Sequence, residues 1–325
     1  MTALRLASAF LLVSMVGVTG CGGDDAAAGS GGSSGGGAGG AGGSSTGGSG
    51  GGGAGSGGGP SCADGPGYPS SDPAHKVDEL KAKIVDAAGA PAAGVPVFVC
   101  GTDICAPPAT TDDQGVVCQK DQTSGLCLAG TLPGVELKRP AFKYGDGTVY
   151  VEFAQLLPTN TAKYDMGTVT TAKLPDPSQG VALVAGAAAT SSNVMVTLAA
   201  GATVEIDEVL YDSPELKKFR AVEIPMAKAP PAVDKAAGFE ILVGTTPIDT
   251  HFCPHAKLSV PNTPAWAAGT EVEIWLHGVS VGQEWAPYGG WAKVSAGKVS
   301  ADGKSVVTND GEGIPVLGMF GIKKK

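Results

Sequence analysis

Arginine is the scarcest charged residue in this chain of 325 residues, which contains Arg5, Arg139 and Arg220 and no others. Lysine and arginine together number 22 against 31 aspartates and glutamates, which gives a formal net charge of −9. Sites for nucleic acids and for phosphate groups depend on clustered basic side chains. The sequence therefore disfavours both kinds of partner, and we predict no nucleic-acid binding.

The sequence also lacks complete forms of the local patterns that mark common catalytic and cofactor sites. Residues 278–282 read G-V-S-V-G, the nucleophile-elbow pattern, but Pro287 opposes the helix that should follow, and the last histidine, His277, precedes the serine. Residues 303–305 read G-K-S, yet Lys298 stands where a phosphate-binding loop needs a glycine. We therefore predict no enzyme activity, no cofactor and no resident metal.

Residues 1–20 have the organisation of an export signal. One arginine precedes an apolar run over residues 6–18, which is shorter than the ~20 residues that a membrane-spanning helix needs. The run leads into residues 18–21, V-T-G-C, which resemble the lipobox of bacterial lipoproteins. The resemblance implies a cleaved signal peptide, a lipid on Cys21 and a membrane anchor. Gly22, where some inner-membrane lipoproteins have aspartate, favours the outer membrane or the cell surface.

A glycine-rich linker follows the lipid site. Residues 22–60 are mostly glycine, with serine, alanine and threonine, and they include no apolar side chain larger than alanine. Such a segment cannot bury enough apolar surface to offset the entropy lost when its backbone is ordered. We predict a disordered Gly/Ser-rich tether with a reach of ~31–37 Å. Together with the lipidated cysteine it occupies residues 21–75.

The cysteines after the lipid site are even in number. An even count in an exported protein indicates disulfides, here up to three, although sequence alone leaves many connectivities open. Spacing favours two short clips, Cys100 with Cys105 and Cys118 with Cys127, and it leaves Cys62 and Cys253 as a long-range pair.

Strand-like patterns begin near residue 76. Leu80, Ala82 and Ile84 alternate with polar residues, and turn residues separate short β-rich runs, among them a predicted strand over residues 148–153. Residues 84–99 and 110–115 contain a strand, an Asp-x-x-Gly-x-Pro turn, a Gly-Val strand and a Thr-Asp-x-x-Gly hairpin. They resemble the carboxypeptidase regulatory-like, transthyretin-type β-sandwich. The resemblance implies a β-sandwich over residues 76–173, structural in role, without catalytic residues and sometimes associated with carbohydrate-binding folds.

A second strand-rich region follows an expected joint at Leu174-Pro175-Asp176-Pro177. The predicted strands lie near residues 194–198, 203–206, 239–243, 257–260, 271–276 and 305–308. Residues 299–308 form a strong hairpin signal, and residues 214–219 are a candidate for a short helix. Residues 196–201, 256–261 and 299–308 resemble the β-sandwich module of ankyrins and netrin receptors. The expected fold is therefore all-β, with a second β-sandwich over residues 178–325.

Three aromatic residues near the end of this region are candidates for a ligand platform. Trp285, Tyr288 and Trp291 bracket a turn and could present their rings to a surface glycan. Aromatic rings in such a position more often belong to the core. A glycan or an envelope protein is the partner that we expect, besides the membrane.

His251-Phe252-Cys253 carries a sharper alternative. It resembles the His-Phe-Ser sequence at which some ankyrin-related modules cleave themselves, with cysteine in place of the nucleophilic serine. His251, Cys253 and His255 also share one face of a strand, a spacing that could bind a transition metal. Against both alternatives, we predict a disulfide at Cys253 and a non-catalytic cell-envelope lipoprotein with structural or ligand-binding β-domains.

Overall fold

The computed structural model describes residue 62 and residues 64–105, 109–118 and 136–325. The predictions for the signal peptide, for Cys21, for most of the linker and for Cys127 lie outside these residues, as does the side chain of Cys118. The described residues are almost entirely strands and turns, and their helical elements are three short 3-10 turns. This confirms the predicted all-β class.

The strands are numbered in chain order. The first nine are β1 Ala74–Lys76, β2 Glu79–Val85, β3 Pro96–Cys100, β4 Ala109–Thr110, β5 Val116–Cys118, β6 Glu136–Lys138, β7 Ala141–Tyr144, β8 Phe153–Leu156 and β9 Lys163–Thr170. The others are β10 Ala188–Ser191, β11 Val194–Thr197, β12 Thr203–Glu205, β13 Arg220–Glu223, β14 Ile241–Thr246, β15 His251–Pro261, β16 Glu271–His277, β17 Trp291–Val299, β18 Ser305–Thr308, β19 Ile314–Val316 and β20 Met319–Lys324. The 3-10 turns are Pro177–Gln179, Met226–Lys228 and Lys235–Ala237.

Strands β2 to β9, apart from β6, form two sheets with a shared apolar core. One sheet has the order β5-β2-β9, with β2 parallel to β9, and the other has the order β4-β3-β7-β8. Leu80, Ala82 and Ile84 are buried while Lys81 and Lys83 are exposed, which is the predicted alternation along β2. Apolar residues of both sheets belong to one buried cluster. β1 pairs separately with β6.

The aspartates of the sequence motif form turns in this sandwich. Asp86 Oδ1 accepts hydrogen bonds from the N–H groups of Ala88 and Ala90, both at 2.9 Å. Asp112 Oδ1 accepts from those of Gln114 and Val116, again at 2.9 Å. Each carboxylate thus fixes its own loop, as aspartate commonly does in turns. Gly115 completes the second turn with φ +72°, a conformation that favours glycine.

The strand predicted over residues 148–153 begins later than expected. Asp146 Oδ1 accepts hydrogen bonds from the N–H and hydroxyl of Thr148, at 2.9 and 2.7 Å, and this prolongs the preceding turn. Tyr150 then forms an isolated bridge with Lys173. Regular pairing with β7 therefore starts at Phe153.

The C-terminal region, for which a second β-sandwich is predicted, is all-β and forms a single eleven-stranded sheet that curls almost into a barrel. Its main path is β10-β11-β15-β18-β17-β16-β20-β14-β13, and β12 and β19 also pair with the long strand β15. The two ends of the path approach each other, because the N–H of Ala221 in β13 donates to Ser191 Oγ in β10 at 3.1 Å. A second apolar cluster fills the inside. The predicted hairpin of residues 299–308 is present as β17 and β18.

The predicted short helix at residues 214–219 is a turn instead. The N–H groups of Leu216 and Lys217 both bond to the carbonyl oxygen of Ser213, at 3.1 and 3.2 Å. Phe219 then pairs with Val181 as an isolated bridge, and β13 starts at the next residue. This strand pairing ends the turn before a helix can extend.

The sandwich packs directly on the barrel. The first apolar cluster continues into barrel residues such as Leu242 and Met319. Arg220 is fully buried, and its Nη1 donates to the carbonyl oxygens of Thr148 and Pro175, at 2.7 and 3.0 Å. The expected joint at residues 174–177 therefore lies against a buried side chain of the barrel.

Candidate functional site

A cavity with a volume of about 360 Å³ lies at one end of the barrel. Its walls come from the β14–β15 connection, the loop after β16, the β19–β20 connection and one residue from the start of the described chain. The polar side chains that line it are those of Asp249, His251, His277, Ser280 and Glu284.

Asp249 is held in the cavity wall by both backbone and side chain. Its N–H donates to the carbonyl oxygen of Leu317 at 3.0 Å, and its φ of +57° is one that aspartate tolerates better than most residues. Burial raises the pKa of the Asp249 carboxyl, whereas a hydrogen bond from Ser280 and the nearby His251 and Lys143 act in the opposite direction. The carboxyl therefore gains from any further positive charge brought into the cavity.

Glu284 links the cavity to the start of the folded region. Its Oε2 lies 3.8 Å from His251 Nδ1, and its Oε1 accepts a hydrogen bond from the N–H of Gly65 at 3.1 Å. The N–H of Gly67 donates to the Glu284 carbonyl oxygen at 3.0 Å, and that of Tyr68 donates to the Gln283 carbonyl oxygen at 2.9 Å. Residues 65–68 are thus bound to the same loop that carries Glu284.

A buried ion pair lies close to Asp249, where the sandwich meets the barrel. Lys143 Nζ contacts Glu152 Oε1, and the two side chains are 21% and 4% exposed. Burial lowers the pKa of Lys143 to about 8, while Asp249 and Asp146 act in the opposite direction. The lysine charge near Asp249 is therefore already paired with a carboxylate of the sandwich.

His277 is a structural histidine of the cavity wall. Its Nε2 accepts a hydrogen bond from the N–H of Ala154 at 3.1 Å, so the ring is neutral and Nδ1 donates to the carbonyl oxygen of Gly290 at 3.0 Å. Burial lowers the pKa of His277 to about 4. The ring joins β8 of the sandwich to the end of β16.

The serine of the G-x-S-x-G sequence lies in a turn of the cavity wall, which it shares with Asp249. Its Oγ accepts a hydrogen bond from the N–H of Gly282 at 3.3 Å. Residues 278–282 follow a strand and are not followed by a helix. The structure therefore supplies the strand of a nucleophile elbow but not its helix.

The sequence His251-Phe252-Cys253 lies at the start of β15. Cys253 is bonded to Cys62, with a Cα–Cα distance of 5.5 Å, so the thiol that self-cleavage requires is in a disulfide. The His255 ring contacts Trp285 edge-on, with centroids 5.4 Å apart. Among the described residues, no three His, Cys, Asp or Glu side chains come close enough together to hold a metal ion.

The three candidate platform rings do not form one surface. Trp285 packs against the barrel core, Tyr288 is fully buried in a small cluster between sandwich and barrel, and Trp291 packs against the sandwich core. Trp291 lies 4.6 Å from Phe239 between ring centroids. Trp285 is the one member of this trio that lines the cavity.

The disulfides of the described residues follow the predicted pairing. Cys62 is bonded to Cys253, and Cys100 to Cys105, the latter with a Cα–Cα distance of 4.0 Å. The pairing of Cys118 with Cys127 remains a prediction, because Cys127 is outside the described residues.

The sequence reasoning missed most of the cavity. It noted residues 278–282 and His251, but it gave no role to Asp249, Glu284 or Lys143. Asp249 lies between the buried Thr246-Pro247 pair and the start of β15, with no neighbouring polar repeat that could indicate a site. Trp285, next to Glu284, was the available signal, since it drew attention to this loop.

No family model matches this chain, and no curated protein matches its sequence. In the residues that the structure describes, no helix has the length and apolar character to cross a membrane.

Proposed function

We propose that this protein is a non-catalytic lipoprotein of the bacterial cell envelope, anchored by lipid on Cys21 to the outer membrane or cell surface. A Gly/Ser-rich tether over residues 22–60 carries the two β regions, and the barrel cavity binds a polar ligand of the envelope. The carboxypeptidase regulatory-like resemblance of residues 76–173 supports a structural role for the sandwich.

The observation that carries the proposal is the way in which the folded region begins. Cys62, close to the end of the glycine-rich segment, is joined by a disulfide to Cys253 in β15. β15 pairs with four other strands, so it is among the best-anchored strands of the barrel. A force applied through the tether would therefore pass through the disulfide to this strand and would not first detach an edge strand. Such a junction suits a protein held at a surface by its N-terminus.

The anchor is tested by lipid labelling and membrane fractionation of the full-length protein and of Cys21→Ala. We expect the wild-type protein to take up labelled fatty acid and to sediment with membranes, because two or more acyl chains anchor stably. The Cys21→Ala variant should do neither. A soluble, unlabelled wild-type protein with an uncleaved N-terminus would exclude the anchor.

The ligand role is tested by pull-down of envelope glycans and cell-wall polymers with the mature protein. Asp249→Asn changes the cavity, and Asp310→Asn is a matched control because the Asp310 side chain is 97% exposed and lies in a surface ion pair. If Asp249→Asn reduces retention and Asp310→Asn does not, the result supports binding in the cavity. Equal retention by all three proteins would place binding elsewhere.

The self-processing alternative has its own readout. The disulfide at Cys253 argues for a chain that runs intact under reducing, denaturing conditions. A fragment of residues 253–325 that disappears in Cys253→Ala would favour self-cleavage instead.

A further inference from the structure

We infer that the barrel cavity binds a small organic cation, a primary ammonium carried on a hydroxylated body such as a free amino sugar. This inference rests on the proposed ligand-binding role of the cavity and names the chemistry of its ligand.

The first argument is charge. Asp249 and Glu284 both line the cavity, and its described lining contains no lysine or arginine. Lys143 lies near Asp249 but is in contact with Glu152, which matches its charge. His251, a further basic residue of the lining, has its Nδ1 3.8 Å from Glu284 Oε2. Two carboxylates thus share a cavity without a dedicated cation for each, and a bound cation would supply the missing charge.

The second argument separates an ammonium from a metal ion. A divalent cation needs several oxygen or nitrogen ligands around one point. The described residues offer no such group of three His, Cys, Asp or Glu side chains. An ammonium has three donors, which can bond to a single carboxylate and to neighbouring hydroxyl or carbonyl oxygens. Asp249 and Ser280, which both line the cavity, provide such a set.

The third argument concerns the rest of the ligand. The cavity volume of about 360 Å³ is near the lower end of the ~300–1,000 Å³ typical of small-molecule sites. It therefore suits one small ring better than a polymer segment. Trp285 gives the cavity an aromatic wall. His251 and Glu284 add polar side chains that could form hydrogen bonds with hydroxyl groups of the ligand. A hydroxylated ring would contact both the aromatic side chain and the polar side chains of the cavity.

The experiment is isothermal titration of the full-length mature protein in detergent with glucosamine and with glucose. The two sugars differ in the ammonium group alone, so the pair isolates its contribution. A charge-assisted hydrogen bond supports at least about a tenfold difference in affinity. We expect glucosamine to bind at least that much more tightly than glucose, and we expect Asp249→Asn to remove the difference.

Two further variants keep the test decisive. Ser280→Ala should weaken glucosamine binding less than Asp249→Asn does, and it serves in its place if Asp249→Asn does not fold, as judged by thermal unfolding without ligand. Asp310→Asn should bind like the wild-type protein. Equal affinity for the two sugars, no binding of glucosamine, or binding that neither cavity variant changes would each overturn the inference. A positive envelope pull-down alongside any of these results would leave the proposed function standing and refute the ammonium site alone.

Discussion

The sandwich and the barrel use their polar side chains in different ways. In the sandwich, Asp86, Asp112 and Asp146 each bond to backbone groups within four residues and so fix their own turns. In the barrel cavity, Asp249 and Glu284 meet groups that are distant in sequence, such as Ser280 and Gly65. The turn aspartates of the sandwich therefore fix the backbone conformation. The carboxylates of the barrel come from separate loops and line a cavity that has room for a ligand.

The disulfides show the same contrast and give the largest expected effect. Cys62–Cys253 closes a loop with a sequence separation of 191, and Cys100–Cys105 one of 5. In the chain-entropy account, removing the first bond by Cys62→Ser with Cys253→Ser costs about 5 kcal/mol of unfolding free energy, and removing the second by the matching pair costs about 2 kcal/mol. Urea unfolding of both double variants without reductant measures the difference. Equal losses would show that the long bond is not a main restraint on the barrel.

The buried pair of Lys143 and Glu152, which lies within the sandwich close to the barrel, gives the next effect. Glu152→Gln leaves Lys143 buried without its partner, and we expect a loss of about 3 kcal/mol at neutral pH. The loss should shrink above pH 8, since the pKa of Lys143 is lowered to about 8 and the amine can then lose its charge.

Two controls accompany the measurement on Glu152→Gln. Replacing both partners, with Lys143→Met and Glu152→Leu, should recover most of the stability because no charge is left buried. Asp78→Asn breaks a pair whose side chains are 52% and 29% exposed, and it should cost less than about 1 kcal/mol. A Glu152→Gln variant as stable as Asp78→Asn would show that the pair of Lys143 and Glu152 is effectively solvated.

His277 makes the joint between sandwich and barrel sensitive to pH. Its pKa is about 4 in the folded protein and ~6.5 in an unfolded chain. Between these values the unfolded chain binds the proton more readily, so stability falls as the pH drops from about 6.5 towards 4 and levels off below. The expected loss between pH 7 and pH 5 is about 2 kcal/mol.

Urea unfolding at the two pH values, for the wild-type protein and for His277→Gln, measures this term. We expect the His277→Gln variant to be less stable than the wild-type protein at pH 7. Its glutamine cannot be protonated, so the stability of the variant should change less between the two pH values. His75, which lies in β1 and pairs with the short strand β6, provides a control through His75→Gln. A wild-type slope that His277→Gln leaves unchanged would assign the pH dependence to other groups.

Much of the fold could be predicted from the sequence, because its signals are local. The alternation of Leu80, Ala82 and Ile84 and the Asp-Gly hairpin after residue 299 each depend on neighbours only a few positions apart. The pairing of Cys62 with Cys253 came from the shorter spacing of the other cysteines. The later start of β8 was not predictable in this way, since it depends on where Asp146 directs its hydrogen bonds.

The cavity could not be predicted, because its geometry depends on the curl of the barrel sheet. Asp249 precedes β15 and Ser280 follows β16, and no periodic pattern links the two positions. The three candidate platform rings do not form one surface, for a related reason. Trp285, Tyr288 and Trp291 are close in sequence, but the loop between β16 and β17 turns so sharply that each ring joins a different cluster.

The smallest predicted effect returns to the turn aspartates of the sandwich. Asp112→Ala removes two hydrogen bonds to the loop before β5, and we expect a cost of about 1 kcal/mol because the site is exposed and water can replace the carboxylate. Gly115 still permits the backbone conformation of the turn, so we expect the variant to fold. Glucosamine binding should be unchanged, whereas Asp249→Asn should alter binding far more than stability. The two variants, compared by urea unfolding and by titration, therefore test whether turn formation and ligand binding are separate tasks of the two regions. An Asp112→Ala protein with altered binding would show instead that the sandwich turns help to shape the cavity.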